Sequence, residues 1–160
     1  MYPEKPTRAV CIMFRDDEVL LMHRVKGGEE YWTFPGGGVE DDETIEEAVV
    51  REVLEETTMP IQLEKLLYIH NYETSDQYYY LCKYISGEPV LGDSVEKERM
   101  EKVTSDIYGP EWVPLDNVEY LLLYPLEIRD WLLEDFQKGF DFDVRQISLK
   151  VADLRQSLED

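Results

Sequence analysis

Glu47 follows Thr44 by three residues, just ahead of apolar positions, which is the pattern of a helix capping box. A helix is therefore predicted to start at Thr44. Met59 precedes Pro60, and the residue before a proline is pushed out of the helical region, so this helix closes after about four turns. Upstream, the short run Tyr31–Phe34 reads as a strand that stops at Pro35, and Gly36, Gly37 and Gly38 follow it. A strand, a glycine loop and a capped helix in immediate succession limit the chain to architectures in which a sheet feeds directly into a helix.

At roughly 100° per residue, Val49, Val50, Val53 and Leu54 form one apolar flank of that helix, and Glu52, Glu55 and Glu56 cluster within roughly 100° beside it. One reading is a solvated Glu-rich face, with Arg51 pairing to Glu47 and Glu55 one turn away. A second reading starts from Glu52 and Glu56, like charges at i,i+4 that repel by about 0.2–0.5 kcal/mol in an isolated helix. A hard divalent cation reverses that sign, and Mg²⁺ favours a few carboxylates together with waters and substrate phosphates. The glycine triplet likewise reads either as a tight turn or as backbone cleared for close approach of a ligand.

The whole chain has 160 residues, 43% of them hydrophobic, enough for one core and too few for two domains. Its net charge of −20 repels a nucleic-acid backbone, so a general DNA- or RNA-binding module is disfavoured. The charge is uneven: residues 1–29 balance five bases with five acids, whereas residues 40–56 hold nine acids and only Arg51. Cys11 and Cys82 lie in apolar or aromatic runs and read as small buried hydrophobes rather than a disulfide. Neither a membrane-spanning run nor a secretory pattern is present, so the expectation is a soluble cytoplasmic protein with no membrane partner.

Thr7–Phe14 and Glu18–Arg24 resemble a hairpin, Ile61–Tyr72 and Gln77–Ile85 a second one, and Glu111–Leu115 a further strand. Ser86–Tyr108 is polar without a clear period and reads as a functional loop. Pro125–Gln137 reads as a helix with proline in its first turn. The fold class expected is α/β, an α/β/α sandwich around a mixed sheet occupying residues 1–139. In the tail, residues 140–160, Ile147, Val151, Leu154 and Leu158 form a helical stripe that covers either its own domain or a second subunit, so a homodimer is a hypothesis.

Taken together, Gly36, Glu43 and the run Arg51-Glu52-Val53-Leu54-Glu55-Glu56, with Phe34 and Pro35 ahead of them, resemble the signature of the Nudix hydrolases. The signature covers residues 36–59, and the surrounding element order is similar to the family over about residues 7–139. Two positions depart from it. Thr58 stands where the family has a glycine suited to a left-handed turn, so a differently shaped helix exit is expected, and Asp42 stands where many members carry glycine.

The resemblance implies hydrolysis of a nucleoside diphosphate linked to another group, by water attacking phosphorus with divalent cations on the signature helix. Glu52, Glu55, Glu56 and the Gly36 carbonyl would hold Mg²⁺ or Mn²⁺. Arg51 would pair with Glu43 and orient Glu52. Glu98, in the loop Glu96–Arg99, is the candidate general base. Arg24, Lys26 and Arg8 are candidate phosphate contacts, beside Gly36 and Gly37.

For base stacking, Tyr78, Tyr80 and Tyr84 alternate on one strand face with Tyr79 opposite, and Trp32 precedes the glycines; Tyr78 is the chosen substrate contact. His23 and His70 read as structural. The proline that many ADP-ribose hydrolases carry beyond the signature is missing, with Glu73 and Thr74 standing there, so the small-molecule nucleotide substrate stays open among a triphosphate, a nucleotide sugar and a dinucleotide. The rival is a binding module that senses a nucleotide without turnover.

Overall fold

The computed structural model describes residues 5–90 and 106–149. In chain order these form β1 (Thr7–Arg15), β2 (Glu18–Lys26), β3 (Glu29–Thr33), β4 (Gly36–Gly38), α1 (Ile45–Thr57), β5 (Ile61–Tyr72), β6 (Asp76–Tyr84), β7 (Ile107–Pro114), α2 (Leu115–Val118), α3 (Leu126–Phe136) and β8 (Arg145–Leu149). Among the described residues the eight strands make one mixed sheet in the order β3-β2-β1-β6-β5-β8, with β4 added to β1 and β7 to β2. β1 runs parallel to β6 and antiparallel to β4, and β5 is antiparallel to β6. Cys11 and Cys82 are buried free thiols.

β1 reads as a continuous apolar run because both its faces are covered. Ala9, Cys11 and Met13 pack with Ala48, Val49 and Val53 of α1, while Val10 and Ile12 pack with Ile128 and Leu132 of α3. The expected α/β/α sandwich is therefore present. The buried stripe of α1 is narrower than its sequence suggests, since Val50 is 39% and Leu54 51% exposed.

Two expectations change. The glycine triplet is no turn: it is strand β4, in register with Arg8–Val10 of β1. Residues 145–149 are not helical but form β8, parallel to β5 over Tyr68–Tyr72. Side-chain spacings of four and three fit a helix, but the open edge of β5 offers backbone partners that periodicity does not register. Val151, Leu154 and Leu158 lie outside the described residues.

The helix exit also differs from expectation. Thr58 adopts the left-handed conformation (φ 63°) that a glycine would take, and its N–H donates to the Leu54 carbonyl at 2.9 Å. Just before it, the Thr57 hydroxyl donates to the Val53 carbonyl at 2.7 Å and accepts from Met59 N–H at 3.3 Å, which fastens the last turn. A β-branched residue is strained there. Thr58→Gly is expected to raise stability by about 0.5–1 kcal/mol in denaturant unfolding, the relief of strain exceeding the extra chain entropy of glycine.

Candidate active site

α1 starts where its capping box lies: Glu47 N–H donates to Thr44 Oγ1 at 3.1 Å and Thr44 N–H to Glu47 Oε1 at 3.5 Å. From that fixed start, Glu52 and Glu56 lie on the helix edge that faces β4. The reason for consecutive glycines is then steric. A Cβ on Gly36 would lie 2.8 Å from Val10 Cα and would also strike the Ala9 carbonyl, and one on Gly37 would fall onto the Glu52 carboxylate. β4 is thus a thin layer between a strand backbone and a helix carboxylate. Gly37→Ala is expected to displace Glu52, weakening Mn²⁺ binding at least about tenfold by calorimetry, with circular dichroism unchanged.

Arg51 organises the carboxylates. Its Nε and Nη2 donate to the two oxygens of Glu43 at 2.9 and 2.5 Å, its Nη1 to Glu52 at 2.9 Å and Glu55 at 3.2 Å, and its Nη2 also to the Gly38 carbonyl at 3.0 Å. This guanidinium, helped by Glu40 N–H, holds the Glu43 carboxyl down at about 2. Glu43 in turn raises Arg51 well above its ordinary value.

Glu56 has the opposite environment. Burial, and then the charge of Glu52, push it up to about 8, against a single Gly36 N–H contact at 3.4 Å and the more distant pull of Arg8. Burial also raises Glu52, opposed by Arg51. Among the described residues no basic side chain pairs with Glu56, and no three His, Cys, Asp or Glu groups converge in one coordination sphere. Glu52 and Glu55 are turned to Arg51 instead. Even so, the donor set suits a hard cation: carboxylate oxygens, those of Glu52 and Glu56 raised by burial and by neighbouring carboxylates.

A cleft of about 430 Å³ lies on the α3 side of the sheet, walled by Phe34, Tyr72, Tyr79 and Tyr124, with Arg8, Gln77 and Glu127 as charged or amide groups. Arg8, which lines the cleft, pulls weakly against the upward shifts of Glu52 and Glu56. Tyr79 faces this cleft, donating its hydroxyl to Gln77 at 2.6 Å, whereas Tyr78 and Tyr80 pack on the α1 side. Tyr80 donates to Glu46 at 2.8 Å and Tyr84 to the Gly87 carbonyl at 2.8 Å.

The remaining expected contacts are elsewhere. Arg24 lies over the Tyr108 and Tyr31 rings and Lys26 is opposite Glu29; neither lines the cleft. Trp32 is covered by His23, stacked at 4.0 Å, so its face is not an open platform. Glu98 lies outside the described residues. Gln77, Tyr72, Tyr124 and Glu127 were not singled out from the sequence; they come from β6, β5, the segment before α3 and α3 itself, and no spacing links them.

The NUDIX domain family model matches residues 5–133. The chain is 33% identical over 117 residues to the NAD-capped RNA hydrolase NudC of Photorhabdus laumondii, covering 69% of this chain and 42% of that protein. It is 43% identical over 63 residues to the mouse diphosphoinositol polyphosphate phosphohydrolase 3-alpha, 38% of each chain. These matches span less than half the length of those relatives. In fold it is similar to a NUDIX hydrolase from Nitrosomonas europaea, with TM-score 0.70, 17% identity, and 93% of this chain and 82% of that one covered. An ADP-ribose pyrophosphatase from Streptococcus suis gives TM-score 0.65 at 18% identity, covering 90% of this chain and 100% of that one. The signature residues, their arrangement around β4 and α1, and these matches agree: the chain belongs to the Nudix hydrolase family.

Proposed function

We propose that this chain hydrolyses a diphosphate linkage in a nucleoside diphosphate joined to a further group, with Mg²⁺ or Mn²⁺ held by Glu52, Glu55, Glu56 and the Gly36 carbonyl. The observation that carries this reading is the pair Glu52 and Glu56 beside the glycine layer of β4, two carboxylates crowded together with no basic partner on Glu56 among the described residues. A divalent cation there would neutralise diphosphate charge and acidify an attacking water.

The protein's own groups divide the remaining work. Arg51, anchored on Glu43 and Gly38, orients Glu52 and Glu55. Arg8 offers a cation to the phosphates of a nucleotide whose base lies in the aromatic cleft. Glu98 is the proposed general base.

The test is release of phosphate or nucleoside monophosphate from triphosphates, nucleotide sugars and dinucleotides, with and without Mg²⁺. Cation-dependent turnover of at least one class is expected. Tight binding with no turnover across the panel would replace this reading by that of a nucleotide-sensing module.

A further inference from the structure

We infer that the cleft selects a guanine base through the Glu127 carboxylate. The inference rests on the reading that a nucleotide occupies this cleft. Arg8 supplies a phosphate-binding charge, the aromatic walls offer faces on which any base stacks, and selectivity must therefore come from the polar groups. Glu127 lies in the first turn of α3, its side chain one-third exposed (33%), and among the described residues no Lys or Arg pairs with it.

A carboxylate only accepts hydrogen bonds. The edge that meets it must present donors. Guanine offers its N1–H and 2-amino group side by side, matching two oxygens; adenine and cytosine place a ring acceptor next to their amino group, and uracil sets one N–H between two carbonyls. Gln77, in the same cleft, has among the described residues only a 3.4 Å contact from its amide N–H₂ to Ser75, which leaves a donor suited to the guanine carbonyl.

A second observation marks the same end of the cleft. His70 is fully buried and, among the described residues, neither ring nitrogen has a hydrogen-bond partner. Its ring lies 4.1 Å from that of Tyr72, and its Nε2 is 3.7 Å from a Glu127 oxygen, beyond hydrogen-bond reach. Buried polar atoms left without partners mark an incomplete network beside Glu127.

Calorimetric titration of the metal-free full-length chain with GMP, IMP, AMP and CMP tests this without turnover. GMP is expected to bind at least about tenfold tighter than AMP or CMP, with IMP, which lacks the 2-amino group, in between. Glu127→Gln, with its fold checked by circular dichroism, should bring GMP to within about twofold of AMP. Equal affinities for GMP and AMP, a preference that survives in Glu127→Gln, or no binding of any of the four would overturn the inference. Should the variant not fold, the ranking of the four ligands on the parent protein decides. A protein that prefers GMP yet hydrolyses no diphosphate breaks the proposed activity and leaves this inference standing.

Discussion

Glu56→Gln is expected to lower metal-dependent turnover by at least about a hundredfold and, in the absence of metal, to unfold at a higher temperature than the parent above pH 8. Glutamine keeps the acceptor for Gly36 N–H and removes a buried charge beside Glu52. The sign follows from proton linkage. Folding moves the Glu56 carboxyl from its ordinary 4.5 up to about 8, so the native state binds the proton more tightly. Its contribution to stability is full below the ordinary value and is lost as pH rises through about 8. Cation binding has to expel that proton. Affinity for Mn²⁺ should therefore rise up to about tenfold per pH unit toward pH 8 and level off above it, with proton release visible as a buffer-dependent heat. A pH-independent affinity would count against Glu56 as a ligand.

Arg51→Met is expected to lower Tm on the order of 5–10 °C at pH 7 and turnover about 10–100-fold, because one guanidinium holds Glu43, Glu52, Glu55 and the Gly38 carbonyl together. Arg51→Lys should recover only part of the loss, since an ammonium cannot grip both Glu43 oxygens while reaching the other acceptors. The pH dependence has the opposite sense to that of Glu56. Folding depresses the Glu43 carboxyl from 4.5 to about 2, so its stabilisation is present above the ordinary value and fades as pH falls toward 2. The gap in Tm between parent and Arg51→Met should accordingly narrow in acid. A gap that stays constant down to pH 3 would mean that the Arg51–Glu43 pair contributes little.

α1 was legible because its signals are local: Thr44 and Glu47 set its start, and Pro60 forces the chain out of the helix. The carboxylate cluster was legible for the same reason, since helical spacing alone places Glu52, Glu55 and Glu56 together. The triplet Gly36–Gly38 was harder. Glycines say that room is needed, not for what, and here the room is filled by the backbone of β1 on one side and the Glu52 carboxylate on the other. On β6, strand alternation correctly separated Tyr78 and Tyr80 from Tyr79. Which side faced the cleft could not be read, because the strand is packed on both faces. The cleft itself depends on β1, β6 and α3 meeting in space, a long-range matter on which local spacing is silent.

β8 closes the border of the sheet at β5, and beyond its backbone pairing there and the Gln146–Asn71 hydrogen bond it is tied to α3 by an ionic clasp. Arg145 donates to both oxygens of Asp135 on α3 at 3.0 Å, Tyr68 of β5 donates to the same carboxylate at 2.7 Å, and the Arg145 guanidinium lies 4.2 Å from the Trp131 ring centroid. Asp135 is almost wholly buried, and among the described residues Arg145 is the basic side chain that pairs with it. A chain cut ahead of this residue would leave an anion stranded in the interior and expose a row of amides and carbonyls on β5 as a template for self-association. A cut ahead of Arg145 is therefore expected to produce aggregates of its own, and a change in particle mass after such a cut would say nothing about native assembly.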